Sequence, residues 1–153
     1  MTPEKDRQLC EKYPKIFRDQ NATMRNTARG WGFECGDGWY DLIDALCNQI
    51  QNHIDWKIKN QNYMIEKGKI SAEEVIPEDD LQVYAVQVKE KFGGLRFYVF
   101  GGDDEVRGMI QMAESFSYRV CDTCGNKGIL RKEGWWRTNC DPCEKTRYER
   151  KSE

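Results

Sequence analysis

Four cysteines near one end of this 153-residue chain set the tightest constraint on its fold. They fall in two pairs, Cys121-Asp-Thr-Cys124 and Cys140-Asp-Pro-Cys143, with fifteen residues between them. A Cys-x-x-Cys turn presents two thiolates on one side of a tight bend. Two such bends brought together give four sulfurs in a tetrahedron, the shell that suits Zn²⁺. Gly125 follows the first pair, where a permissive backbone is useful, and Pro142 stiffens the second. Four thiolates close the coordination shell, so the expected Zn²⁺ is structural and leaves no open position for catalysis. Disulfides fit less well, because the N-terminal stretch MTPEKDRQLCEKYPK is charged throughout and does not read as a secretory signal. A redox Cys-x-x-Cys usually comes singly beside a βαβ pattern, which this sequence lacks. A segment of about 30 residues buries little core, so the metal is expected to supply much of its folding free energy.

Cys10, Cys35 and Cys47 remain, and their simplest reading is as small buried hydrophobes. A catalytic Cys35 with His53 as base is the alternative. His53 is the single histidine, which excludes chemistry that needs two imidazoles. Hydrophobic residues make up 39% and aromatics 12%, too much for a disordered chain, and the length suits one domain with a small satellite module. Lys and Arg total 24 against 26 acids. That balance excludes a uniformly basic protein but allows a local basic face. No apolar run approaches the roughly 18–20 residues that cross a bilayer, so no membrane partner is expected.

Hydrophobic periodicity predicts an α+β fold: helices packed on a small antiparallel hairpin or sheet, followed by a zinc-ribbon module. A helix is expected over 3–19, with Leu9, Tyr13, Ile16 and Phe17 inward and a break at Pro14. Residues 20–38 read as irregular and glycine-rich. A long helix is expected from Trp39 to Lys67, capped by Asp37, with Leu42, Ile43, Leu46, Ile50 and Ile54 inward and Gly68 as its stop. Residues 68–80 read as a polar connection. Two strands, 81–92 and 95–100, flank Gly93-Gly94, a hairpin signal. A further helix over 103–119 is capped by Asp103 or Asp104, with Val106, Met109, Ile110, Ala113 and Phe116 inward. The division expected is a core domain over 1–117 and the four-cysteine module over 118–153, ending in a short frayed tail.

With a two-residue turn at Gly93-Gly94, Phe92 faces Leu95, Glu90 faces Phe97 and Val88 faces Val99. Lys89, Lys91, Arg96 and Tyr98 then share the opposite face. Cations beside a ring are the ingredients of a phosphate or nucleotide surface, although a solvated sheet face also favours lysine. Between the cysteine pairs, Arg131, Lys132, Trp135 and Arg137 form a second basic-aromatic patch, with Trp136 beside them. One of the two tryptophans is expected to pack the module and the other to make contact. From Tyr118 to Lys151 there are nine basic residues and five acids, a local positive excess that survives the net charge of a zinc–thiolate centre. A third candidate is acidic. Glu34, Asp37, Asp41 and Asp44 could hold Mg²⁺ for phosphoryl chemistry, or could simply compensate a helix start.

The run Trp31-Gly-Phe-Glu-Cys-Gly-Asp-Gly-Trp-Tyr40, then Val88-Lys-Glu-Lys-Phe-Gly-Gly-Leu-Arg-Phe-Tyr98, then Met112-Ala-Glu-Ser115 leading into Cys121-Asp-Thr-Cys124-Gly, is similar to small proteins encoded by bacteriophages and prophages, which carry a C-terminal zinc ribbon with four cysteine ligands. That resemblance spans most of the chain. It implies a phage accessory protein in the bacterial cytoplasm and assigns no catalytic residues. The leading expectation is a non-enzymatic binding protein whose partner is a host defence or nucleic-acid-processing protein, a nucleic acid, or a nucleotide ligand. A metal-dependent nuclease or phosphodiesterase built on the acidic cluster is the second reading. A homo-oligomeric sponge for a nucleotide signal is the third.

Overall fold

The computed structural model describes residues 1–18 and 32–151, with side chains to residue 149. Trp31, most of the irregular stretch and the last residues of the tail lie outside the described residues. The architecture is α+β. In chain order it comprises α1 (Pro3–Lys12), β1 (Phe33–Glu34), α2 (Tyr40–Glu66), α3 (Glu78–Leu81), β2 (Tyr84–Lys91), β3 (Gly94–Phe100), α4 (Asp104–Ser117), β4 (Ile129–Arg131), β5 (Arg137–Asn139) and α5 (Asp141–Lys151). β1, β2 and β3 form one sheet in that order, while β4 and β5 form a separate two-stranded ribbon.

The core is one apolar cluster. Leu9, Tyr13, Ile16 and Phe17 are all buried, but α1 stops at Lys12 and the last two enter the core from the turn after Pro14. Proline cannot continue the hydrogen-bond ladder, so the break falls where the sequence places it. α2 contributes Ile43, Leu46, Ile50 and Ile54, and the sheet contributes Phe33, Val88, Leu95 and Phe97. Phe17 meets Phe33 edge to face at 5.2 Å. α4 closes the other side with Val106, Ile110 and Ala113. Burying each such side chain contributes roughly 1.5–3 kcal/mol.

Several expectations need correction. Asp37 does not cap α2. Its carboxylate accepts from the Thr2 N–H at 2.6 Å and the Thr2 hydroxyl at 3.1 Å, which pins the start of α1. The chain makes a single 3₁₀ turn, Asp37–Trp39, before α2 begins. The polar connection contains a 3₁₀ turn, Ala72–Glu74, and the short helix α3, which starts directly after Pro77. β1 is not visible in the sequence pattern: it pairs in parallel with β2, Phe33 opposite Val88, and two residues are too few to show a period. Phe116 points outward and is 52% exposed. The buried residue there is Ser117, whose hydroxyl accepts from the Leu95 N–H at 2.8 Å, while Glu114 accepts from the Phe97 N–H at 3.0 Å. α4 thus satisfies the free edge of β3 with polar side chains.

The hairpin turn is Phe92-Gly93, both residues having positive φ (53° and 78°), as a two-residue type I′ turn demands. Gly94 serves a different need. A Cβ there would run into the Tyr118 ring, so the residue belongs to β3 and the turn moves back along the chain. Val88 therefore faces Phe97, Lys89 faces Arg96 and Glu90 faces Leu95. This register differs from the expected one by two positions. An even shift keeps each side chain on its face, so Lys89, Lys91, Arg96 and Tyr98 still share one.

Candidate metal centre and adjoining groove

The first cysteine turn is built by backbone bonds. Gly125 N–H donates to the Cys121 carbonyl at 2.9 Å, and Cys121 N–H donates to the Asn126 carbonyl at 2.7 Å. The second pair straddles the start of α5: Cys140 precedes it and Cys143 lies in its first turn with Pro142, where proline costs no helix bond. The four sulfurs lie within 4.8 Å of one another, and Cys124 Sγ is 3.6 Å from Cys140 Sγ. A tetrahedron with Zn–S bonds of about 2.3 Å has edges of roughly 3.8 Å, so the spacing fits such an ion. Cys121 and Cys140 are buried, Cys143 is half-buried and Cys124 is exposed. Burial alone would raise the Cys121 thiol, but N–H groups of Cys140, Cys124 and Thr123 aimed at the sulfur outweigh it and bring the thiol down to about 7. Cys143 is pushed up, first by burial and then by the three neighbouring sulfurs. Sulfurs this close resist ionising together, and a dication relieves that conflict. Among the described residues this is the one convergence of three or more potential metal ligands.

The four-cysteine segment is stitched to the core. Asp122 accepts from Gly36 N–H on its side chain (2.7 Å) and from Gly38 N–H on its carbonyl (2.8 Å). Trp39, fully buried, donates from its indole to the Val120 carbonyl at 2.8 Å. A Cβ at Gly36 or Gly38 would overlap the backbone of Asp122 or Cys121, so the glycines of this run mark the close approach of two chain segments. At the far end, the Thr138 hydroxyl donates to the Gly93 carbonyl at 2.6 Å and fixes the hairpin turn against β5.

That docking creates a groove of about 980 Å³ between the hairpin and the loop joining β4 to β5. Lys89, Lys91, Phe92 and Arg96 line one wall, Trp135 and Trp136 the other. Trp135 is 73% exposed. Trp136 stands edge-on to Phe92 at 6.2 Å, and Lys132 Nζ lies 5.0 Å from its ring. Neither tryptophan is buried in the module, but they divide as expected between docking and contact: Trp136 packs against the hairpin and Trp135 projects outward. The indoles project because the loop's carbonyls point inward, toward Arg137.

No family model, no curated protein and no solved structure matches the chain. The functional reading rests on the site itself.

Arg137 is buried and cannot face a ligand. Its Nε reaches both Glu144 oxygens at 3.0 and 2.8 Å, its NH2 group pairs with the same carboxylate, and its NH1 group donates to the carbonyls of Glu133 (3.1 Å) and Trp135 (2.7 Å). The guanidinium holds the Glu144 carboxyl down to about 2. Arg137 is thus the clamp of the tryptophan loop. Arg131 pairs with Asp141 and lies 4.0 Å from Glu144, outside the groove lining. Tyr98 is exposed further out on the lysine face, with Lys89 Nζ 5.7 Å from its ring. Arg96 is fixed by its bonds to the Leu95 carbonyl (2.6 Å) and the Tyr118 hydroxyl (3.0 Å).

The acidic candidates do not converge. Asp37 is committed to Thr2, and Asp44 binds Lys12 (2.7 Å) and the Tyr13 hydroxyl (2.8 Å). Asp41 and Glu34 are exposed. Nor do Cys35 and His53 make a pair. Cys35 is buried and its thiol is pushed up to about 12 by burial and then by Asp122. His53 is bracketed by Asp103 (2.8 Å) and Glu105 (3.0 Å) at the start of α4. Cys10 and Cys47 are buried in the core. Sequence reasoning missed Phe92 and Tyr118 as groove residues, Glu144 as the partner of Arg137, and Trp39 as a tie between segments. The two glycines before Trp39 were the available signal for the last.

Proposed function

We propose that this protein is a non-enzymatic binding protein in which a structural Zn²⁺, held by Cys121, Cys124, Cys140 and Cys143, keeps a basic-aromatic groove in shape. Its ligand combines negative charge with planar rings. One observation carries this reading: Lys89, Lys91 and Arg96 on the hairpin share a groove with Trp135 and Trp136, 39 to 47 residues away in the chain. Ring faces attract stacking partners and ammonium groups attract anions, so a groove offering both selects a ligand that has both. The resemblance to phage and prophage proteins supports a role in the bacterial cytoplasm, against a host defence or nucleic-acid-processing component. The dispersal of Glu34, Asp37, Asp41 and Asp44 gives the nuclease reading no support.

Amide-resonance mapping tests this. A nucleotide, a single-stranded oligonucleotide and an acidic peptide are titrated into zinc-loaded protein. Shifts concentrated at residues 89–96 and 134–136 are expected with at least one probe. No response from any probe, or responses confined to other surfaces, would overturn the reading. Elemental analysis is expected to find one zinc per chain, and metal-free protein with freely alkylated native thiols would remove the scaffold.

A further inference from the structure

The lining of this groove is short of groups that read chemistry in detail. Apart from Lys89, Lys91 and Arg96 it presents rings, the Tyr118 hydroxyl, which already accepts from Arg96 at 3.0 Å, and one carboxylate, Glu90, whose oxygen already accepts from the Gly93 N–H at 2.6 Å. Among the described residues, no Asn, Gln, Ser or Asp lines it. Asn and Gln read adenine edges and arginine reads guanine, but Arg96 is already held by the Leu95 carbonyl and the Tyr118 hydroxyl, and a pocket selective for one small nucleotide needs a few precisely placed polar groups. The groove is open, and its volume stands at the top of the roughly 300–1,000 Å³ range of pockets that enclose a single small molecule. Lys89 and Lys91 alternate along one strand and so point the same way about 6.6 Å apart, a row suited to a chain of phosphates. Across from them Trp135 offers a largely exposed ring, and Trp136 stands beside it.

From this we infer that the ligand is single-stranded nucleic acid, bound with little regard to sequence, its phosphates along Lys89, Lys91 and Arg96 and its bases stacked on Trp135. The inference rests on the binding role proposed above. A duplex offers phosphates but keeps its base faces occupied, so the indoles would have nothing to stack on. A free nucleotide offers only one ring and one phosphate cluster to a groove that repeats both cations and rings. Single strands supply both features repeatedly, and every base has a π-face, which makes stacking tolerant of sequence.

Fluorescence anisotropy of zinc-loaded protein decides this, with a labelled 12-nucleotide oligo-dT, a mixed-sequence 12-mer, the corresponding duplex and a labelled mononucleotide as probes. Both single strands are expected to bind within a few-fold of each other and at least tenfold more tightly than the duplex or the mononucleotide. Three phosphate contacts predict a slope of log K against log salt of about −2, and Lys89→Gln should flatten it by about 0.7. Trp135→Ala is expected to weaken binding by between about fivefold and a hundredfold, with Trp135→Phe restoring most of it. Because Trp135 is exposed, unchanged zinc content and melting behaviour should accompany the loss. Equal affinity for duplex, or indifference to Trp135→Ala, would overturn the inference. Equal affinity for the mononucleotide would also overturn it while leaving the groove a binding site. Failure of every nucleic-acid probe, with an acidic peptide still shifting groove resonances, would sink the inference and preserve the broader function.

Discussion

The two parts of this molecule bury different things. Residues between Leu9 and Ala113 supply every member of the buried apolar cluster. The four-cysteine segment instead buries two cysteines together with Arg137, Thr138, Asn139 and Glu144. The first part is held by transfer of hydrocarbon out of water, which tolerates moderate substitution as long as volume is conserved. The second is held by directed contacts: four converging cysteines, the ion pairs Arg137–Glu144 and Arg131–Asp141, and a few hydrogen bonds. Directed contacts give little stability per residue, yet they fix positions closely. The tryptophan loop, clamped by Arg137 through the Glu133 and Trp135 carbonyls, is an example.

Removing the zinc proposed for the four cysteines should break this comparison most severely. Structural zinc contributes on the order of 10–16 kcal/mol to isolated zinc-finger peptides. Chelation, or Cys121→Ser, is expected to abolish hydrogen-exchange protection across β4, β5 and the start of α5. The amides of α2 and β2 should stay protected. Global unfolding on chelation would show that the core depends on the module instead of merely supporting it.

A second test separates stability from positioning. Arg137→Ala leaves Glu144 buried without its partner and should cost about 3–5 kcal/mol in denaturant melts. Replacing both residues, Arg137→Met with Glu144→Leu, is expected to recover most of that stability. The double variant should still lose ligand affinity, because nothing then clamps the Glu133 and Trp135 carbonyls. Recovery of affinity as well would assign the pair a purely stabilising role.

The seam between the parts can be loosened on its own. Gly38→Ala forces a methyl group against the Cys121 backbone and is expected to destabilise by about 1–3 kcal/mol, measured by thermal melting. Zinc should still bind, because the second cysteine pair is untouched and the first can shift away from the core as a unit. Loss of zinc in this variant would mean that the core templates the metal site.

The smallest effect lies at the start of α4 and concerns pH. Burial works against ionisation of Asp103, but bonds from His53, Lys57 and the Val106 amide outweigh it and hold its carboxyl below the usual 3.8. A folded value below the unfolded one means that the group stabilises above about pH 4 and loses that contribution as pH falls. Asp103→Asn keeps the N-cap geometry but removes the charge. The expected penalty near neutrality is below about 1 kcal/mol, given the partial exposure of the group. The gap between the melting temperatures of the two proteins should begin to narrow below about pH 4 and go on narrowing below about pH 3. A gap that stays constant would deny the charge any role.

Much of the layout is legible in the residue order. The stripes of α2 and α4, the stop at Gly68 and the break at Pro14 follow from spacing and backbone chemistry that act locally. Asp103 is legible as a cap because an N-cap bond joins residues three apart. The position of the turn is not. Gly93-Gly94 reads as the hairpin signal, and only the Tyr118 ring, 24 residues on, assigns Gly94 to the strand. Arg137 reads as a contact residue because composition cannot distinguish an exposed arginine from one facing Glu144. Phe116 reads as inward by periodicity, yet the helix turns Ser117 and Glu114 toward the β3 edge, where unpaired N–H groups need acceptors.

The amino-acid order alone determined which sulfurs can gather around an ion and which stripes face the core, because short-range geometry depends on spacing along the chain. Only the folded molecule decided that the lysines of the hairpin and the indoles of the module meet in one groove. That encounter depends on Gly36, Gly38, Trp39 and Thr138 holding distant segments together, and contacts across such separations leave no period in the sequence to read.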